Sequence, residues 1–85
     1  EIAYLEANNG TSNATTCGAT GPVAPINNVT GVAGTLVDNS ALLTTAGRFT
    51  MSAGSTAITF RSNMSTGAWT NTNGKRVVAN WFYRY

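Results

Sequence analysis

The residues that could do chemistry are few in this chain of 85 residues, and the partners that catalysis needs are missing. Histidine is absent, so no serine or threonine hydroxyl has the usual base to take its proton. The carboxylates are Glu1, Glu6 and Asp38, and two of them stand near one end of the sequence, which argues against a pair held at the spacing that glycoside hydrolysis needs. No glycine spacing matches a phosphate loop or a dinucleotide fingerprint. The sequence therefore predicts a protein that is not an enzyme and uses no cofactor.

The single cysteine, Cys17, has no partner for a disulfide within the chain, and one cysteine without histidine argues against a structural zinc site. No base stands near it in the sequence to lower its pKa, so we expect a small, buried, apolar residue. A disulfide to a second chain stays open as an alternative. Sequons for N-glycosylation occur at Asn9, Asn13, Asn28 and Asn63, but a chain with 10 Asn and 20 Ser or Thr residues contains several by chance.

The charged residues divide the chain into two parts of opposite sign. Residues 1–47 contain all three acids and no base, whereas residues 48–85 contain all five bases and no acid. The acidic part of one copy could lie on the basic part of a neighbouring copy, because complementary potentials fix the register of an interface. The alternative is that the bases are solvated and only keep the surface soluble. The candidate charge-complementary contacts are Glu1, Glu6, Asp38, Arg48, Arg61, Lys75, Arg76 and Arg84.

Aromatic side chains concentrate in the same basic part. Rings beside Asn and Thr donors suit a glycan, whose C–H faces would stack on Trp69, Trp81 or Tyr83. A small chain must use its few large side chains for packing, however, so packing in the core or at an interface is favoured over ligand contact. The candidate interface residues are Trp69, Val77, Trp81, Phe82, Tyr83 and Tyr85.

Single-stranded nucleic acid is a third possible ligand, with Arg61, Arg76 and Arg84 placed beside the aromatic rings. A net charge of +2 is weak for a protein that binds nucleic acid, so this function is the least favoured of the three. No apolar run approaches the roughly 18 to 20 residues of a membrane helix. We therefore expect no membrane span.

The clearest strands are expected after residue 47. Arg48–Ala53 and Ala57–Ser62 alternate around Gly54, which predicts a hairpin. Its buried face would carry Phe49, Met51, Ile58 and Phe60. A short strand over Ala68–Thr72 and an Asn-Gly turn follow, and a last strand spans Lys75–Tyr85. This last strand is apolar on both faces, as in a strand that is central in a sandwich or half-covered by a neighbour.

The first part of the chain gives weaker signals. Glu1–Ala7 fits an edge strand or one helical turn, and residues 8–21 are expected to be an extended surface segment with only Cys17 to bury. Residues 23–26 and 29–37 are interrupted by proline and glycine, so they suit edge strands or an extended arm. We therefore divide one domain, residues 1–85, into an extended or edge-strand region over 1–47 and a β-meander over 48–85.

Composition points to an all-β fold with little core: a small antiparallel meander or sandwich with an extended N-terminal segment rich in Gly, Thr and Asn. Thr, Asn, Ser and Gly account for 39 of the 85 residues, and Ile, Leu, Val and Phe for only 16. Domains this small have thin cores, which are often completed by oligomerisation. The sequence thus predicts a structural subunit that self-assembles or decorates a larger assembly, with copies of itself or another structural protein as partners. The composition is of the kind found in virion capsid decoration and fibre proteins and in subunits of extracellular filaments, so we expect a virion or extracellular surface.

Overall fold

The computed structural model describes residues 1–7, 17–65, 67–70 and 74–85, and within these ranges the chain forms β-strands and no helix. The strands are β1 (Ile2–Ala7), β2 (Cys17–Thr20), β3 (Val29–Ala33), β4 (Thr35–Asp38), β5 (Ala41–Leu42), β6 (Gly47–Met51), β7 (Ala57–Arg61) and β8 (Arg76–Arg84). They pair antiparallel into two four-stranded sheets. The first sheet has the order β1-β8-β4-β5 and the second the order β2-β7-β6-β3. The predicted all-β class is confirmed, in its sandwich form.

The predicted hairpin is confirmed as β6 and β7. Its turn is closed by the Ser55 N–H, which donates to the Ser52 carbonyl at 3.0 Å. Gly54 has φ +76° there, a left-handed conformation that glycine adopts at little cost. The four side chains predicted for the inner face are all buried: Phe49, Met51, Ile58 and Phe60.

The core lies between the sheets and is closed within one subunit. Trp81 of β8 stacks on Phe49 of β6, with ring centroids 3.8 Å apart and an interplanar angle of 15°. The Phe60 ring meets the same indole edge-on at 6.2 Å. These contacts join the two sheets, and each aromatic pair adds about 0.5–1.5 kcal/mol beyond its buried area. Contact with partners is therefore not needed to complete the core of this chain.

Two glycines in the second sheet permit close packing. A Cβ on Gly31 of β3 would lie 2.7 Å from Cε1 of Phe49, the residue opposite it in register. A Cβ on Gly47 of β6 would overlap the Leu36 side chain and the Arg61 carbonyl oxygen. Glycine at these positions lets ring, side chain and backbone approach the strand directly.

Residues 48–85 do not form a single meander, because β8 leaves the hairpin's sheet and lies between β1 and β4 in the other sheet. The predicted strand around Trp69 is also wrong, since residues 67–70 form no strand. Instead, the Trp69 indole is buried and donates from Nε1 to the Phe60 carbonyl at 2.9 Å. This side-chain hydrogen bond holds residues 67–70, which lie between β7 and β8 in the chain, to β7 although they form no strand. Residues 71–73 of the predicted Asn-Gly turn lie outside the described residues.

Residues 1–47 supply all four edge strands, β1, β2, β3 and β5. Of the two alternatives for Glu1–Ala7, the structure has the edge strand. Cys17–Thr20 pairs with β7 as β2 where a surface segment was expected, and residues 8–16 of that segment lie outside the described residues. Residues 23–26 form no strand, because their backbone is held to β8 instead: the Val23 carbonyl accepts from the Tyr83 hydroxyl at 2.7 Å, and the Ile26 N–H donates to the Arg84 carbonyl.

Candidate assembly surface

The outer face of the first sheet is built by alternate residues of its strands. Side chains along a strand point alternately to the two faces, and residues opposite each other in register share a face. Leu5 of β1 and Trp81 of β8 are opposite and point into the core. Tyr4 and Phe82, which are also opposite, therefore point outward. The same register places Ile2 on this outer face.

Large apolar side chains are exposed on this outer face, which also carries the charged residues Glu6, Arg76 and Arg84. Phe82 is 69% exposed, Ile2 68% and Tyr4 49%. Leu42 of β5, at the opposite edge of the same face, is 68% exposed. The Tyr4 and Phe82 rings contact each other with centroids 4.9 Å apart. The half-buried Val37 of β4 and Val78 of β8 lie between these two edges of the sheet. We call the following set the apolar face: Ile2, Tyr4, Val37, Leu42, Val78 and Phe82.

The free edge of β1 borders the apolar face. The amino group of Glu1 donates to the Tyr85 carbonyl at 3.1 Å, and the Tyr85 N–H donates to the Glu1 carbonyl at 3.0 Å. Since bonded and non-bonded pairs alternate along an antiparallel ladder, the backbone N–H and C=O groups of Ile2, Tyr4 and Glu6 point away from β8. No described strand pairs with that edge. Such an edge can pair with a strand of another chain.

The outer face of the second sheet is polar and basic. Arg48 of β6 is directly opposite Arg61 of β7, and both residues are half-buried. We call these two residues the arginine pair. Both Nε atoms are buried and have no hydrogen-bond partner among the described residues. Beside the pair, a row of threonines crosses three strands in register: Thr30, Thr50 and Thr59.

The three acids have different surroundings. Glu1 and Glu6 are exposed on or beside β1. Asp38 instead binds within the subunit, where both carboxylate oxygens accept from the Thr70 N–H at 3.0 and 3.1 Å and Oδ2 also accepts from the Thr70 hydroxyl at 3.1 Å. Lys75, predicted as a charge contact with a neighbour, is only 3% exposed. Asp38 and Lys75 are therefore used inside the subunit.

Four of the six predicted interface residues lie inside the subunit, which corrects their placement at a surface. Trp69, Val77, Trp81 and Tyr83 are between 1% and 8% exposed. Three of them are also the rings expected to stack on a glycan, and they could do so only by leaving the core. Phe82 and Tyr85 are the predicted interface residues that are exposed, the latter at 41%.

The arginines proposed for nucleic acid do not share a surface. Arg61 lies on the outer face of the second sheet, whereas Arg76 and Arg84 alternate with the buried residues of β8 and lie on the outer face of the first. The core separates the two faces, so these three residues form no continuous basic stripe.

Of the apolar face, only Phe82 was among the predicted interface residues; the five members that were missed are Ile2, Tyr4, Val37, Leu42 and Val78. The alternation of Ile2, Tyr4 and Glu6 with Ala3 and Leu5 could have identified two of them as one face of a strand. Leu42 lies in a strand of only two residues, Ala41–Leu42, which is too short to show a period.

Cys17 is a free thiol and is 5% exposed, as expected for a small buried residue. Burial raises the pKa of this thiol, and the nearby Lys75 opposes the shift only in part. A raised pKa disfavours the thiolate, which is the reactive form. An intermolecular disulfide at Cys17 would require the sandwich to open at β2.

No protein-family model, curated protein or solved structure matches this chain. In the described ranges, no group of three or more His, Cys, Asp or Glu side chains is arranged to hold a metal ion. The same ranges contain no helix of the length and hydrophobicity required to cross a membrane.

Proposed function

We propose that this protein is a non-enzymatic structural subunit that assembles with copies of itself or with another structural protein. The observation that carries the proposal is the apolar face, on which Ile2, Leu42 and Phe82 are each more than two-thirds exposed. Exposed apolar side chains that gather on one face and are rimmed by polar residues typically mark interaction sites. A virion decoration or fibre protein, or an extracellular filament subunit, would use such a face.

Energetics favour an interface that combines this face with further contacts. Burying a Leu, Ile or Phe side chain fully contributes about 1.5–3 kcal/mol. Association costs an estimated 4–15 kcal/mol in lost translational and rotational freedom. The three most exposed side chains offset only part of that cost, so additional polar or backbone contacts must act with them. The free edge of β1, next to Tyr4, is one source of backbone hydrogen bonds.

Substitution of Phe82 tests the proposal. Phe82→Ser removes the most exposed ring of the apolar face without touching the core, so we expect it to shift the protein from assemblies to monomers in sedimentation velocity. Met64→Ser is the matched control, because Met64 is 50% exposed in a loop and lies outside the apolar face. The control should sediment like the wild type. Far-UV circular dichroism and the melting temperature should show that both variants remain folded.

Imaging decides which kind of assembly is formed. Negative-stain electron microscopy of the wild type should show filaments or regular particles, and Phe82→Ser should show neither. A wild type that stays monomeric in sedimentation at its highest soluble concentration, with no assembly in the microscope, would contradict self-assembly. If it instead decorates another structural protein, binding to that protein should be lost in Phe82→Ser and retained in Met64→Ser.

A further inference from the structure

The arginine pair is unfavourable in an isolated subunit for two reasons. Arg48 and Arg61 are directly opposite each other, and like charges in that position on a sheet destabilise it. Each Nε atom is also buried without a hydrogen-bond partner among the described residues, and a buried donor without a partner is destabilising. An oxyanion that binds the surface parts of both guanidinium groups would offset the like-charge repulsion. Because both residues are only half-buried, part of each side chain reaches the surface where such a group could bind.

The chain carries two carboxylates that are available for this role. Asp38 is already bonded to Thr70, whereas Glu1 and Glu6 are exposed. Neither can reach the arginine pair of its own subunit: β1 belongs to the first sheet, the pair lies on the outer face of the second, and packed sheets are about 10 Å apart. A carboxylate of this chain that binds the pair must therefore come from a second copy.

We infer that the arginine pair binds the carboxylate of Glu6 from a second copy, so that the apolar face of one subunit packs on the second sheet of the next. This inference rests on the proposed function and specifies its contact. Glu6 is favoured over Glu1 because it lies within β1, on the same side as Tyr4. Docking of the apolar face therefore carries this carboxylate to the neighbour's surface. Arg84 and Arg76 lie on the same face but apart from Glu6: Glu6 is opposite Asn80, whereas Arg84 is opposite Ile2 and Arg76 opposite Val37. That surface holds two groups that suit Phe82, the methyl groups of the threonine row and Val32, which is 56% exposed opposite Arg48.

The contact joins two different faces of the subunit, so it is head to tail. Such contacts repeat from copy to copy and produce a ring if the rotation closes or an open filament if it does not. The subunit measures 37 by 21 by 21 Å between its outermost Cα atoms. A face of 37 by 21 Å has an area comparable with the roughly 800 Å² that each partner contributes to a standard interface. Among the proposed assemblies, this geometry favours the filament.

Charge reversal tests the contact. Glu6→Arg alone and Arg48→Glu/Arg61→Glu alone should each weaken assembly at least tenfold in sedimentation velocity, because each creates a like-charge contact. An equimolar mixture of these two variants should regain assembly, because copies of the two variants can alternate. In one contact both charges are then reversed, and in the next contact both charges are native. Glu1→Arg is the matched control and should change assembly less than twofold. Circular dichroism of each variant monitors the fold.

A neutral version covers the case in which the doubly reversed variant fails to fold. Glu6→Gln and Arg61→Gln should each weaken assembly, and the double variant should be no weaker than the worse of the two, because the residues act through one contact. Additive effects would overturn the inference, as would failure of the folded, charge-reversed variants to assemble when mixed. If the wild type assembles and Phe82→Ser does not, but Glu6→Arg assembles normally, the proposed function stands and the arginine pair is not the contact. A wild type that does not assemble with itself overturns this inference, and if it also binds no other structural protein, the proposed function fails as well.

Discussion

The two tryptophans show how differently one residue type can be used in a small core. Trp69 donates its indole N–H to the Phe60 carbonyl at 2.9 Å. Trp81 stacks on Phe49, but its Nε1 is buried with no hydrogen-bond partner among the described residues. The first indole therefore contributes a hydrogen bond as well as packing, whereas the second contributes packing at the cost of an unpaired donor.

Phenylalanine substitutions should separate these contributions. Both Trp69→Phe and Trp81→Phe remove a similar volume, but only the first leaves a carbonyl without its donor. We expect Trp69→Phe to lower the free energy of unfolding by about 1–2 kcal/mol more than Trp81→Phe does, measured by urea denaturation. A larger loss for Trp81→Phe would mean that its stacking contact outweighs the hydrogen bond of Trp69.

Cys17 links the stability of the fold to pH at the alkaline end. Burial raises the pKa of its thiol above the ordinary value of 9.0, so the unfolded chain loses this proton at a lower pH than the folded chain does. The contribution of the protonated thiol to the stability of the fold is fully present below the unfolded-state pKa and is lost as the pH rises through the folded-state pKa. Over that window the free energy of unfolding should fall by up to about 1.4 kcal/mol per pH unit.

Cys17→Ala isolates this contribution, because it removes the thiol from both the folded and the unfolded state. Urea denaturation with reducing agent present, from about pH 8 to about pH 10, should show a steeper loss of stability in the wild type than in Cys17→Ala. Parallel pH profiles would show that the thiol ionises equally easily in the folded and unfolded states.

At the scale of strands, close approach between the sheets explains why residue 47 is glycine. A Cβ on Gly47 would overlap Leu36 of the opposite sheet and the Arg61 carbonyl of the adjacent strand. Gly34, in contrast, joins β3 to β4 with no heavy atom within 4 Å of the position that a Cβ would occupy. The two positions therefore form a matched pair within one protein.

Alanine at these positions should have opposite effects. Gly47→Ala overpacks the interface between the sheets and should destabilise the protein by about 1–3 kcal/mol. Gly34→Ala meets no obstacle and restricts the unfolded chain, so it should be neutral or stabilise by about 0.4–1 kcal/mol. Thermal denaturation of the two variants is sufficient. A stable Gly47→Ala variant would indicate that β6 can move away from Leu36 at little cost.

The strands that could be predicted from the sequence are those with local signals. The hairpin of β6 and β7 has alternating side chains and a glycine turn within one short window, so periodicity identified both the hairpin and its buried face. The pairing of β8 with β1 joins the two ends of the chain, from Ile2 with Arg84 to Ala7 with Ala79. No local pattern encodes such a pairing, and the prediction of a continuous meander after residue 47 was wrong for that reason. β2 was missed because Cys17 is its single buried residue.

The candidate surface was predictable in part. The exposed Phe82 follows from a last strand that is apolar on both faces, because the inner face buries Trp81 and Tyr83 and leaves the outer face open. The sequence could not show which face turns inward, and it therefore assigned both tryptophans to the interface. The opposite signs of the two halves of the chain were visible, but the arginine pair depends on the register between β6 and β7.

At the scale of the whole molecule, the physical reason to propose assembly differs from the one composition suggests. Few large apolar residues implied an incomplete core, yet thirteen buried residues form one cluster between the sheets. The sandwich achieves this with aromatic rings packed against glycine and alanine positions. Partners are expected because the outer side of the first sheet leaves Ile2, Leu42 and Phe82 exposed. A subunit that remains folded when alone is compatible with assembly through the other side.

The backbone pairing of Glu1 with Tyr85 brings the first and last residues of the sequence side by side at one corner of the sandwich. Polypeptide fused at both positions would therefore leave in the same region of space. The sandwich could be inserted as a cassette into a surface loop of a host protein, or its ends could be spliced and new ones opened at the Gly54 turn, with little disturbance of either sheet.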